Sequence, residues 1–125
     1  MKTPLSLALV VALTFSALAT EEVTPIDAVD LDALRAKAGT PAVVIGQVTD
    51  VGTTQDGGIT FVNVGMPKKK GFVAVIFRQN YESFPDGFEK FRNQKVKVSG
   101  PIELYKSEQP QIILRSPDQI EIVKE

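Results

Sequence analysis

From residue 42 onward the apolar side chains recur with a period of two, and this alternation persists almost to the end of the chain. A period of two places alternate side chains on opposite faces of a strand, so most of the chain is committed to sheet. Residues 42–51 are β-branched and apolar with Gly46 in the middle, where a glycine marks a bulge or bend. A turn at Asp56-Gly57-Gly58 supplies the positive φ angles of a tight hairpin and leads to a second strand over 59–64. A third strand over 72–77 follows the loop from Gly65 to Gly71, completing a meander. Strands two and three carry apolar residues on both faces, so the pattern leaves open which face is the core.

The period then changes. Phe84, Phe88 and Phe91 fall at i, i+4 and i+7, and Asp86 with Glu89 makes a weak capping box, which predicts a helix over 87–92 whose aromatics plug a core. Strand four follows, with Val96, Val98, Ile102 and Leu104 alternating with polar residues and interrupted at Gly100-Pro101. After a loop over 106–110, strand five spans 111–115, and Ile120 and Ile122 mark a last short extended piece. Ahead of all this, residues 26–38 read as a short helix with acids early, Arg35 and Lys37 late, and Gly39 and Pro41 closing it. Leu31, Leu34 and Ala38 give it a narrow apolar stripe. Packing on the domain, a linker role, or an acidic cover over a binding groove all remain open for this lead-in.

The first residues concern destination rather than fold. Lys2, a nearly uninterrupted apolar run over 5–18 and Ala17-Leu18-Ala19 read as a cleavable signal peptide with its cut after Ala19. The run is shorter than the roughly 20 residues of a membrane span. The expected organisation is a signal peptide over 1–19, an acidic helical lead-in over 20–41 and one domain over 42–123, in a periplasmic or secreted protein with no stable membrane span after cleavage. About 105 residues remain after the cut, enough for one small core and not for two.

Composition narrows the chemistry. The chain has no cysteine, histidine or tryptophan, which removes disulfides, thiol chemistry and most zinc and imidazole sites. No paired carboxylates, phosphate loop or calcium-loop spacing is present, so no enzyme activity, catalytic residue, metal or cofactor is expected. The formal charge is −1, and −2 once Lys2 is removed with the leader. Residues 20–41 hold five acids against two bases, whereas residues 42–123 hold ten bases against nine acids.

Three meandering strands, a helix, then two strands is the order of an all-β, five-stranded OB-fold Greek-key barrel with a helix between strands three and four, here preceded by a short N-terminal helix. SH3-like barrels lack the inserted helix, and a small mixed sandwich is the fallback. Val44-x-Gly46-x-Val48, the strand from Thr60 to Gly65, the strand from Phe72 to Phe77, and Leu104-Tyr105-Lys106-x-x-x-Pro110-Gln111-Ile112 with Ser116-Pro117-x-x-Ile120 resemble the nucleic-acid-binding OB-fold domains of the tRNA-anticodon and helicase type. The resemblance covers roughly 42–123. Small exported bacterial OB-fold stress proteins share the leader and length, but the chain lacks their acidic Phe-x-Asp strand pattern.

The resemblance implies a single-stranded DNA or RNA ligand across strands two and three, edged by the loop after strand one and the loop between strands four and five. It points to Phe61 and Asn63 on strand two, Lys68, Lys69 and Lys70 at the following hairpin tip, and Arg78 after strand three. Around the last loop it points to Tyr105, Lys106, Gln111 and Arg115. Each has a plainer alternative: Phe61 in the core, Asn63 bonding backbone at a bulge, the three lysines as a solvated turn that deters edge pairing, Tyr105 as cover for a barrel edge. The competing function is an exported module that binds a protein, peptide or glycan through the same groove.

Overall fold

A computed structural model describes residues 23–68 and 70–124; the expected signal peptide with its cut, and Lys69, lie outside the described residues. The chain forms strands β1 (Ile26–Asp27), β2 (Pro41–Thr53), β3 (Ile59–Val64), β4 (Phe72–Phe77), β5 (Lys95–Pro101), β6 (Glu103–Tyr105), β7 (Gln109–Ile113) and β8 (Ile120–Ile122). One α-helix, α1 (Leu31–Ala36), lies between β1 and β2. Short 3-10 turns occupy Arg78–Ser83, Glu89–Phe91 and Pro117–Gln119. No helix of the described residues is long and apolar enough to cross a membrane.

Strand β2 organises the sheet. Its first half pairs with β5, from Pro41 opposite Pro101 to Gln47 opposite Lys95, and its second half pairs with β3, from Val48 opposite Val64 to Thr53 opposite Thr60. The neighbour order is β6-β7-β4-β3-β2-β5-β8, with β1 added in parallel to β2. β5 and β6 are the two halves of the expected fourth strand, separated by Ile102 alone, and they lie towards opposite ends of this path, paired with β2 and β7. That continuity wraps the sheet into an OB-like barrel. The break has a local cause: Gly100 holds φ +148°, Pro101 has no amide hydrogen, and the Ile102 amide leaves the ladder to donate to Thr40 O at 3.0 Å.

The core lies inside the wrap. Val62 and Val64 of β3 and Phe72, Ala74 and Ile76 of β4 point into it with Val44, Val48, Val96, Val98, Ile112 and Leu114. Phe84 and Phe91 are buried against the same cluster, and Phe88 packs on it with its ring 5.1 Å from that of Phe84 and 5.9 Å from that of Tyr81. The expected aromatic plug is present, but an α-helix over 87–92 is not. Gly87 at φ +74° and Asn93 at φ +65° bracket the segment, leaving space for a single 3-10 turn. Arg92 then ties this segment to the barrel, donating to Asp50 Oδ1 at 3.0 Å, Val51 O at 2.9 Å and Glu89 Oε1 at 2.9 Å.

The lead-in is part of the barrel. Its helix is shorter than the expected 26–38, because residues 26–27 form β1, with Ile26 opposite Val44 and the Ala28 amide donating to Ile45 O at 2.8 Å. Asp30 then caps α1 by accepting from Ala33 N at 3.2 Å, and Leu34 is fully buried. Gly46 makes this docking possible, since a Cβ there would sit 2.8 Å from Ala28 Cβ and 3.0 Å from Val64 Cγ1. Gly46→Ala is expected to destabilise the domain by about 1–3 kcal/mol through overpacking. Gly52→Ala, where a Cβ meets nothing within 4 Å, is expected to leave the melting temperature nearly unchanged. Thermal denaturation of the two variants followed by circular dichroism checks both.

Candidate functional site

Because β3 and β4 turn their even-numbered residues inward, their odd-numbered residues face the other side of the sheet, and all of these but Asn63 are also apolar. Cross-strand pairing sets Ile59 beside Phe77, Phe61 beside Val75 and Asn63 beside Val73. Parallel pairing adds Gln111 beside Val73 and Ile113 beside Val75, and the β6–β7 hairpin sets Tyr105 opposite Gln109. The result is a cleft of about 160 Å³. Its floor is Phe61, Val73 and Val75, with Ile59 and Phe77 at one end and Tyr105, Gln109 and Gln111 at the other.

Phe61, Tyr105 and Gln111 thus come together in one cleft. Tyr105 is 52% exposed, and the Lys106 Nζ stands 5.4 Å from its ring centroid, a cation over a π face. Lys68 and Lys70 are exposed in the β3–β4 connection, at the same end as Tyr105, where the Gln109 amide reaches Gly71 O at 3.3 Å. Arg115 is exposed two residues beyond β7, and continuing the β4–β7 register places it level with Phe77 at the opposite end. Asn63 is only 3% exposed and does not line the cleft; it lies where the β2–β3 register shifts between Val48 and Asp50. Arg78 is exposed, but its guanidinium donates to the carbonyls of Asp56 and Gly57 in the β2–β3 turn. α1 contributes nothing to the cleft lining.

Ile59, Val73, Val75, Phe77 and Gln109 line the cleft without having been singled out from the sequence. The signal was present as apolar residues on both faces of two consecutive strands, which one core cannot consume. The chemistry offered is an apolar and aromatic floor, two side-chain amides that both donate and accept, and cations around the ends. Among the described residues no group of Asp and Glu side chains is placed to hold a metal ion.

The two turns at the ends are built differently. In the β2–β3 turn the Thr54 hydroxyl donates to Asp56 Oδ1 at 2.7 Å and the Gly58 amide to the same oxygen at 2.9 Å. These bonds, the Thr54 hydroxyl first, hold the Asp56 carboxyl below its ordinary value of 3.8. In the β6–β7 turn the Glu108 amide donates to Tyr105 O at 3.1 Å, and Lys106 and Ser107 hold φ +54° and +64°. Two central residues at positive φ are the type I′ geometry, which asparagine and glycine normally fill.

No family model matches the chain and no curated protein matches it in sequence. Solved structures do match. A putative aspartyl-tRNA synthetase from Leishmania major Friedlin superposes with a TM-score of 0.58 at 11% identity, over 84% of this chain and 21% of that one. An aspartyl-tRNA synthetase from Entamoeba histolytica gives 0.51 at 14% identity, over 81% of this chain and 21% of that one. OBody AM1L10, solved bound to hen egg-white lysozyme, gives 0.52 at 20% identity, over 84% of this chain and 99% of that one. The chain therefore spans about a fifth of the synthetases it resembles, and the likeness shows a shared OB-like fold.

Ser107→Gly is expected to stabilise the domain by about 0.5–1 kcal/mol by relieving a left-handed backbone, read as a rise in denaturant midpoint. The Asp56 contribution to the β2–β3 turn is complete above the carboxyl's unfolded value near 3.8 and is lost as pH falls through its lower folded value. An acid titration by NMR is expected to show the Gly58 amide moving with the Asp56 carboxyl, and Asp56→Asn is expected to abolish that transition.

Proposed function

We propose that this chain is an exported OB-fold binding protein that takes single-stranded nucleic acid across the outer face of β3, β4 and β7. The observation that carries the reading is the open cleft with Phe61 in its floor and Tyr105 at its edge, flanked by Lys68, Lys70 and Lys106 at one end and Arg115 at the other. Single strands are bound by this combination, in which bases stack on aromatic faces and cations follow the backbone. The resemblance to two tRNA synthetases, enzymes whose names specify an RNA, is in keeping with it. Binding would be non-catalytic. Export rests on the leader-like sequence of residues 1–19.

A near-neutral domain with three or four phosphate contacts binds weakly, and the slope of log K against log salt for single strands is about −2 to −3. A second reading draws on the apolar floor and on OBody AM1L10, a protein of this fold solved in complex with lysozyme. On that reading the same cleft takes a peptide or protein, or a glycan, and binding is indifferent to salt.

Titration of residues 20–125 into a fluorescent single-stranded oligonucleotide at low and at physiological salt separates the two. Saturable binding that weakens with salt is expected, and replacing Tyr105 and Lys106 together by alanine is expected to cost about tenfold or more, the loss of one stacked base and one contact. Absence of binding at low salt would sink the nucleic-acid reading and leave the protein, peptide or glycan reading to be tested.

A further inference from the structure

Both turns that border the cleft are held from behind by an arginine. At the Ile59–Phe77 end, the Arg78 guanidinium donates to Asp56 O and Gly57 O, and its own amide donates to Gly58 O at 2.9 Å. The Tyr81 hydroxyl donates to Gly57 O at 3.1 Å and accepts from the hydroxyl of buried Thr60 at 2.9 Å, anchoring the same turn to β3. At the Tyr105 end, Arg35 of α1 donates from Nε to Glu108 O at 2.8 Å, across 73 residues of sequence. Its Nη1 lies 3.6 Å from Asp32 Oδ1 on the same helix.

We propose that Arg35 and Arg78 are positioning residues that preorganise the two rims of the cleft, and are not cations that meet the ligand. This rests on the cleft being the binding site. A guanidinium clamps a phosphate through two parallel N–H donors, and in Arg78 the Nε and Nη2 side of the fork already serves turn carbonyls. Lysine keeps the charge but has no planar fork to span the two carbonyls that Arg78 holds, so it does not replace arginine at position 78. Holding the rims in the free protein removes an ordering cost that binding would otherwise meet. The N-terminal lead-in acquires a role on this account: through Arg35 it supports the turn that presents Tyr105 and Lys106.

The test compares Arg35→Ala, Arg78→Lys and Arg78→Gln, each confirmed folded by its melting curve. Amide exchange in the free protein is read over 56–59 and 106–109, alongside oligonucleotide affinity at several salt concentrations. The expected result is exchange about tenfold faster at the turn each arginine holds, from loss of a charged hydrogen bond. Affinity is expected to fall in Arg78→Lys as far as in Arg78→Gln, with the salt slope of the unmodified protein. Unchanged exchange in Arg35→Ala or in Arg78→Lys overturns the proposal. So does an Arg78→Lys protein of full affinity beside an Arg78→Gln protein whose slope is shallower by about 0.7, the signature of one phosphate contact. If the unmodified protein binds no oligonucleotide, the functional reading fails by itself, and the exchange data still decide whether the arginines hold the rims.

Discussion

Everything in this fold depends on one strand serving two sheets. β2 hydrogen-bonds β5 with its first half and β3 with its second. The handover falls at Gly46–Val48, where the strand is close to its neighbours on every side. The Val48 amide donates to Gln94 O at 2.8 Å and Gln47 O accepts from Gly65 N at 2.8 Å, so neither strand edge is left unpaired through the bend. A side chain at position 46 would collide with Ala28, which is the residue that brings the lead-in onto the barrel. Bend, sheet switch and docking of the N-terminal segment are therefore one constraint, met by the absence of a single Cβ.

A second polar device holds the barrel where β5 leaves off and β8 begins. The Gln119 side chain donates to Ser99 O at 3.0 Å and to Ile113 O at 3.1 Å, and accepts from Arg115 N at 2.7 Å and Ser116 N at 3.2 Å. All four hydrogen-bonding positions of the amide are used, which is what a partly buried glutamine requires. Gly100 leaves room for it, since a Cβ there would sit 3.0 Å from the Gln119 nitrogen. The end of β7, and with it the cleft wall, is thereby tied to the opposite sheet.

Strands with a plain period were legible in the sequence: the expected bounds 59–64 and 72–77 are those of β3 and β4, set by turn residues on both sides. The aromatic plug was legible as composition but not as conformation, because periodicity at i, i+4 and i+7 does not register a glycine and an asparagine at positive φ on its flanks. β1 was hidden by length, as two residues show no period. The choice of inner face on β3 and β4 was hidden by symmetry, since both faces are apolar and the core is decided by what packs from elsewhere, chiefly Phe84, Phe91 and Leu34. The attachment of Arg78 to Asp56 and Gly57 is a contact across 21 to 22 residues that residue type alone does not announce.

The two terminal strands share a location that matters for handling and for biology. β1 and β8 both belong to the sheet built on the first half of β2 and on β5, and neither contributes to the cleft lining. A tether joined ahead of β1 or beyond β8 enters on strands that take no part in the β3–β4–β7 cleft. Immobilisation, a fused reporter or a cell-surface attachment at either end would thus present the cleft outward, so that many copies on one support remain individually loadable.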